Sequence, residues 1–159
     1  MQILITCVFL LVSLSAPAAT LTGQVVSVHD GDTLTVLDGA RQQHKIRLLG
    51  IDAPELGQPY SRRARQALVT ATMRQIVTIA WLKRDRYGRP LGKVLHHEED
   101  LNLALLRAGL VWHYTQYADE QFAGDRERYA EAEKHARKAR AGLWSDPVPI
   151  APWNWRNRK

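Results

Sequence analysis

The feature that most restricts the fold is a tight-turn signal, Asp38-Gly39, between two short runs of alternating residues. Asp-Gly between such runs is the strongest short-range indication of a β-hairpin. The run Thr33–Leu37 precedes the turn, His44–Leu49 follows it, and a Val- and Thr-rich run, Thr22–Val28, comes before both. Three strands within about thirty residues, joined by tight turns, predict an antiparallel meander.

The rest of the chain alternates between helical and strand-like patterns. Apolar spacing predicts a helix from Ser61 to about Arg74, and Gln75–Leu82 and Leu91–His96 predict a fourth and a fifth strand. Two more helices are predicted, Leu101–Ala108 and about Asp119–Arg140. The Pro- and Trp-rich tail is expected to lie extended across the surface with its tryptophans tucked in. This order predicts an α+β fold, a five-stranded OB-type β-barrel with three helices, whose open face commonly binds nucleic acid.

The N-terminal segment has the character of a secretory signal peptide. Its apolar run, Ile3–Leu14, is short for a bilayer span, and Ala16-Pro17-Ala18 fits the small-residue cleavage rule. We predict that residues 1–18 are a signal peptide cleaved after about Ala18, with an uncleaved anchor as the alternative. Residues 19–159 then form one domain, secreted or periplasmic. The only cysteine, Cys7, lies in the removed segment, so the mature chain has no disulfides.

The chain is basic, with 22 Lys and Arg against 16 Asp and Glu and a net charge of +6. A positive balance favours polyanionic partners such as nucleic acid or an anionic membrane surface. The length of 159 residues is sufficient for a single core without disulfides.

The segment Asp30–Glu55 collects acidic and basic residues in a pattern suited to a phosphate. Asp32 enters a strand, where a carboxylate is unfavourable. Arg47 lies in an otherwise apolar strand and needs either an acidic partner, Asp52 or Glu55, or an anionic ligand. Carboxylate oxygens suit a hard cation, arginine stabilises charge on a phosphoryl group, and glutamate can activate water. The pattern therefore indicates metal-assisted attack on a phosphate, with ordinary turns and ion pairs as the alternative.

A charged turn after the fourth strand carries two arginines and a tyrosine. The forked guanidinium of Arg89 suits phosphate oxygens, so it can bind a phosphate across a cleft from Arg47. Arg86 and Tyr87 can hold a neighbouring nucleotide. The alternative is a solvated turn.

Together these motifs resemble the staphylococcal nuclease (thermonuclease, micrococcal nuclease) family. The resemblance covers about Thr22 to Trp155. The motifs that carry it are Asp30-Gly31-Asp32-Thr33, then Ile46-Arg47-Leu48-Leu49-Gly50-Ile51-Asp52-Ala53-Pro54-Glu55, then Asp85-Arg86-Tyr87-Gly88-Arg89, with later matches from Asn102 to Gly109-Leu110 and from Ala136-Arg137 to Gly142-Leu143-Trp144-Ser145.

The family is calcium-dependent and cleaves phosphodiesters in DNA and RNA. The resemblance therefore implies an endonuclease that leaves 5′-hydroxyl and 3′-phosphate ends, acting as a monomer without a stable protein partner. By position, it implies Glu55 as general base and Arg47 and Arg89 as the phosphate-binding catalytic arginines. It implies calcium ligation by Asp32, Asp52 and the backbone carbonyl of Ala53, and substrate contacts from Arg86, Tyr87 and Tyr117.

The chain departs from the family pattern at three places. Ala53 replaces a threonine, a change that a backbone ligand tolerates. Tyr114 and Tyr117 offer either a stacking surface or core packing, and only Tyr117 aligns cleanly with a family tyrosine. The residues after Leu56 suggest a different loop, which bears on substrate preference.

Three hypotheses follow from the sequence. The first is an exported calcium-dependent nuclease acting on DNA and RNA. The second is a non-catalytic nucleic-acid-binding module of the same fold, which typically loses the acids or arginines that this chain retains. The third is an exported envelope-associated protein held by its basic surface.

Overall fold

The computed structural model describes residues 18–158, in which four strands precede the first helix and four more strands follow it. Cleavage after about Ala18 is a prediction about residues that lie outside this range, apart from Ala18 itself. Within it, no helix has the length and apolar character needed to cross a membrane. The strands are β1 (Ala19–Val28), β2 (Thr33–Asp38), β3 (Gln43–Leu48), β4 (Ile51–Asp52), β5 (Ile76–Arg84), β6 (Pro90–His96), β7 (Glu99–Asp100) and β8 (Trp112–His113). The helices are α1 (Ser61–Thr72), α2 (Leu101–Arg107), α3 (Asp125–Lys138) and α4 (Pro152–Arg156), with 3₁₀ helices at Thr115–Glu120 and Gly142–Ser145.

Five of the strands close into a barrel. Strand β1 pairs with both β2 and β5, and the antiparallel pairs β2–β3 and β5–β6 extend the sheet on either side. A short parallel pairing of β3 with β6, through Arg47–Leu91 and Leu48–Gly92, joins the two ends. Closure removes the exposed edges of these strands, and it confirms the predicted α+β fold with an OB-type barrel.

The predicted hairpin lies between β2 and β3. The Asp38 carboxylate accepts hydrogen bonds from the backbone N–H groups of Ala40, at 2.9 Å, and Gln42, at 2.8 Å. Its other oxygen lies 2.8 Å from Nε2 of His44 on the returning strand. Asp38 therefore folds the connection around its own side chain, as aspartate does in turns.

Alternation along the strands fills the barrel with branched side chains. Val25, Leu34, Ile46 and Ile79 are completely buried and belong to one continuous core. Helix α1 closes part of this core with Ala64 and Leu68 among its buried residues, so its predicted amphipathic face is confirmed. The closed barrel is a rigid support for the loops at its rim.

Two predictions about the C-terminal half were wrong. The long helix begins at Asp125 rather than about Asp119, because Gln121 is extended and buried, with its side-chain oxygen 2.9 Å from Nε2 of His113. The tail is not extended throughout but forms α4, in which Pro152 takes a first-turn position that suits proline. The tail tryptophan Trp153 does pack inward, with its ring 5.5 Å from that of Trp112.

A buried asparagine ties α2 to the barrel beside its seam. Asn102 is fully buried, and its side-chain oxygen accepts a hydrogen bond from the N–H of Val94 at 3.2 Å. Its amide nitrogen donates to the carbonyls of Leu49, at 2.9 Å, and Gly92, at 3.1 Å. Three backbone groups from two segments thus depend on one side chain.

We expect Asn102→Ala to lower the free energy of unfolding by about 3 kcal/mol, because it leaves buried backbone groups without partners. Denaturant unfolding of the purified chain measures this change. Asn154→Ala, at an exposed position on α4, is the matched control. An equal decrease in the free energy of unfolding in the two variants would contradict the proposed stabilising role of the Asn102 hydrogen bonds.

Candidate active site

One cleft at the rim of the barrel collects eight of the nine residues predicted for the site. Most of these residues lie on three segments, namely the turn before β2, β3 with the loop that follows it, and the turn between β5 and β6; the 3₁₀ helix Thr115–Glu120 adds Tyr117. The ninth residue, Ala53, is buried directly beside the cleft. The eight lining residues are Asp32, Arg47, Asp52, Glu55, Arg86, Tyr87, Arg89 and Tyr117.

The turn before β2 holds Asp32 against the neighbouring loop. The Asp30 carboxylate accepts a hydrogen bond from the N–H of Asp32 at 3.0 Å, which is the local turn bond expected of an aspartate here. A side chain at Gly31 would collide with Ala53 and Ala64, so only glycine allows this approach. Asp32 is almost completely buried, and one of its oxygens accepts from the N–H of Ala53 at 2.6 Å.

Arg47 joins the two buried carboxylates of the cleft. One of its terminal nitrogens lies 2.9 Å from Asp32, and the other lies 2.9 Å from Asp52. The β2–β3 register places Arg47 opposite Thr33, next to Asp32, which explains why the first contact forms. Of the two possibilities left open for Arg47, an acidic partner and an anionic ligand, the structure supplies the first. The guanidinium also lines the cleft, so it can still meet a ligand.

The loop after β3 is fixed at both of its ends. Gly50 has a φ of 76°, which other residues rarely adopt, and its carbonyl accepts a hydrogen bond from Tyr114. Strand β4, which contains Asp52, pairs with β8. At the far end, the Gln58 side chain accepts from the N–H of Glu55 at 2.9 Å, and the Gln58 N–H donates to the Glu55 carbonyl at 2.8 Å. Asp52 is thereby buried while the Glu55 side chain remains partly exposed.

The β5–β6 turn is organised by a residue outside the predicted site. The Asp85 carboxylate accepts hydrogen bonds from the backbone N–H groups of Tyr87 and Arg89, each at 2.9 Å. It also accepts from Nε of Arg89 at 2.7 Å, which orients that guanidinium. Since β6 begins at Pro90 and pairs with β3 beside Arg47, the two predicted phosphate-binding arginines share one cleft.

Aromatic side chains form the outer part of the cleft. The rings of Tyr114 and Tyr117 lie 5.6 Å apart in an edge-on arrangement, and Tyr117 is about half exposed. Tyr87, which also lines the cleft, is exposed and lies beneath the guanidinium of Arg86 at 4.9 Å. Such rings can stack on unpaired bases.

Sequence reasoning missed Arg156, which enters the cleft from α4. One of its terminal nitrogens lies 2.9 Å from an Asp52 oxygen, and the other forms an ion pair with Glu55. The two partners are 104 and 101 positions away in sequence. No local pattern in the tail indicates such a contact; its basic composition was the only available signal.

Burial dominates the electrostatics of Asp32. It raises the pKa of this carboxyl from 3.8 to about 7, opposed by the charge of Arg47 and reinforced by those of Asp30 and Asp52. The pKa of Asp32 therefore stays raised although Arg47 contacts both carboxylates. A further cation would favour their ionised forms.

Because the pKa of Asp32 is higher in the folded chain, the folded state binds more protons than the unfolded state between pH 3.8 and about 7. The free energy of unfolding that this group contributes therefore falls as the pH rises through this window. In chelator at pH 8, we expect Asp32→Asn to be more stable than the unaltered chain by about 2 kcal/mol, with no such gain near pH 4. Denaturant unfolding at both pH values measures this, with Asp119→Asn, at an exposed position, as control. An identical pH dependence in Asp32→Asn and the unaltered chain would contradict the assignment.

Comparison with known proteins identifies the family of this chain. Residues 45–146 match the family model described as "Staphylococcal nuclease homologue". A protein of Shigella flexneri named "Micrococcal nuclease" is 42% identical over 152 residues, covering 89% of this chain and 84% of the relative. An "Uncharacterized endonuclease" of Escherichia coli O157:H7 is 39% identical over 142 residues, covering 89% and 88%. The chain belongs to the staphylococcal nuclease family.

Proposed function

We propose that this protein is an exported, calcium-dependent nuclease that hydrolyses phosphodiester bonds in DNA and RNA and leaves 3′-phosphate ends. The observation that carries the proposal is the Arg47 guanidinium, which bridges Asp32 and Asp52 in a cleft that also contains Glu55 and Arg89. The family and the names of the relatives support nuclease activity. The proposal of export is based on the predicted N-terminal signal peptide. The mass of the chain recovered from the periplasm or the medium tests whether cleavage occurs before Ala19.

The charge of the cleft suits a polyanion. Besides Arg47 and Arg89, its walls carry Arg62, Arg65 and Arg84. Arginine binds phosphate through paired N–H groups, and a positive cleft attracts nucleic acid from a distance. The exposed rings of the outer cleft add a surface for unpaired bases.

The donor set beside Arg47 fits a hard divalent cation. Asp32 and Asp52 are both buried, and oxygen ligands are what calcium prefers. Among residues 18–158, no group of three or more acidic, histidine or cysteine side chains could hold a metal ion. The proposed set, which the family resemblance implies, consists of the two carboxylates together with the Ala53 carbonyl. Bound calcium would supply positive charge next to the scissile phosphate.

The side chains have complementary roles in hydrolysis. Glu55 is partly exposed at the cleft, where its carboxylate can accept a proton from an attacking water. Arg47 and Arg89 hold the phosphate oxygens and stabilise the charge that grows on them in the transition state. Arg86, Tyr87 and Tyr117 bind the flanking nucleotides.

The alternative is a non-catalytic nucleic-acid-binding module of the same fold. It is disfavoured because the cleft retains both carboxylates, both arginines and the glutamate. No comparable observation supports the hypothesis of an envelope-associated protein held by its basic surface. We propose that the nuclease acts as a monomer.

Glu55→Gln should lower the cleavage rate by about 100-fold or more, since the amide cannot accept the proton from water. The assay uses the chain from Ala19 with single-stranded DNA and RNA, in calcium, magnesium or chelator, followed by end-group analysis. Glu120→Gln, which alters another acid of the same cleft, is the matched control. Full activity in Glu55→Gln would exclude this base. Salt-sensitive binding without cleavage in any metal would favour the non-catalytic module.

Arg47→Lys and Arg89→Lys should each lower the rate by about 100-fold at saturating calcium, because an ammonium cannot make the forked contact with phosphate. Arg107→Lys, at an exposed position on α2, is the control. Thermal unfolding of each variant verifies that the fold is kept. Turnover near that of the unaltered chain in either variant would remove that arginine from the mechanism.

A further inference from the structure

Arg156 makes contacts with two of the residues on which the proposed function depends. Its guanidinium donates to both oxygens of Asp52, at 2.9 and 3.4 Å, and to the carboxylate of Glu55. It thus touches a proposed calcium ligand and the proposed base at the same time. Neither the expected mechanism nor the motifs of the sequence assign a role to this residue.

The contact of Arg156 with Asp52 and Glu55 is supported by the packing of α4 against the rest of the protein. Helix α4 follows Ala151, which is buried, and begins at Pro152, which is buried too. The Trp153 ring lies 5.5 Å from that of Trp112 and 5.6 Å from that of Tyr114. The packing of α4 therefore delivers Arg156 to the cleft.

A second anchor connects the tail to the loop of the base. The Gln58 side chain donates to the Ile150 carbonyl at 2.5 Å while it accepts from the N–H of Glu55. Glu55 is consequently linked to the tail in two ways, through Gln58 and through Arg156. The position of α4 and the position of the base depend on each other.

Asp52 carries two arginines in this arrangement. Arg47 lies at one of its oxygens, and Arg156 lies closest to the other. A divalent cation that takes Asp52 as a ligand competes with these guanidinium groups for oxygen lone pairs and is repelled by their charge. Loosening of at least one of the two contacts therefore favours binding of a metal.

Arg156 is the arginine that can yield. Its side chain is 42% exposed, against 17% for Arg47. It belongs to a helix of five residues near the end of the chain, whereas Arg47 lies in a strand of the closed barrel. Displacing Arg156 therefore costs less free energy than displacing Arg47, because fewer packing contacts are lost.

We propose that Arg156 is a positioning residue of the active site, which holds the carboxylates of Asp52 and Glu55 and competes with the divalent cation for Asp52. The inference rests on the proposed function, because it takes Asp52 as a metal ligand and Glu55 as the base. Entry of the cation displaces the guanidinium and thereby also frees Glu55 to accept a proton. Arg156 thus sets the calcium concentration at which the site becomes competent.

Calorimetric titration of the chain with calcium, without nucleic acid, tests this directly. We expect Arg156→Gln to bind calcium about fivefold more tightly than the unaltered chain, as removal of a competing cation requires. Arg156→Lys should lie between the two, because it keeps the charge and loses the fork. Arg158→Gln is the matched control: it removes an exposed arginine of the same tail that lies against Trp155. It should bind as the unaltered chain does.

A second variant perturbs the same contact without altering any charge. Trp153→Ala loosens α4 from Trp112 and Tyr114, so it should also tighten calcium binding. Thermal unfolding in chelator verifies that both variants are folded. Unchanged or weaker calcium binding in folded Arg156→Gln would overturn the inference, since a merely structural contact predicts one of those results.

The titration separates failure of the inference from failure of the proposed function. If the unaltered chain binds no calcium, or if Asp52→Asn binds it equally well, the proposed metal site is wrong and the inference falls with it. If the unaltered chain binds calcium and Asp52→Asn does not, the metal site stands. The comparison with Arg156→Gln then decides the role of Arg156 alone.

Discussion

The site depends on one arginine that holds two buried carboxylates together. Burial works against ionisation of Asp32, and the nearby charge of Asp52 adds to this effect. Arg47 opposes both effects by contacting each carboxylate with a different nitrogen. An arrangement of this kind is stable only where the backbone fixes all three residues, because a buried charge that loses its partner is strongly destabilising.

The barrel provides that fixation. Arg47 lies at the seam where β3 meets β6, and the same seam brings the β5–β6 turn with Arg89 to the cleft. Asn102 supports the seam from behind through the Leu49 and Gly92 carbonyls. The chemistry of the rim therefore depends on the closure of the barrel, since the pairing of β3 with β6 brings the two arginines into one cleft.

Much of this could be predicted from local sequence patterns. The Asp38 hairpin, the meander and the amphipathic α1 follow from the period of the residues and from turn chemistry, and all are present. Most of the predicted site residues share a cleft because they lie near the end of a strand or in a turn between strands. What could not be predicted depends on contacts between distant segments. The contact of Gln121 with His113 keeps Gln121 out of the predicted long helix, which therefore begins later. Helix α4 brings Arg156 to carboxylates that lie about a hundred positions earlier in the sequence.

The distance between these partners has a consequence for how the chain becomes active. The cleft combines a turn near the start of the domain, the barrel seam and the C-terminal helix, so no partial fold contains a complete site. Pairings between segments so far apart form late, after the entropic cost of closing long loops has been met. A chain emerging from the ribosome thus lacks the Arg156 contacts until α4 has been synthesised. Under the proposed export, a precursor kept unfolded for translocation would pose no threat to the nucleic acids of the cell that makes it.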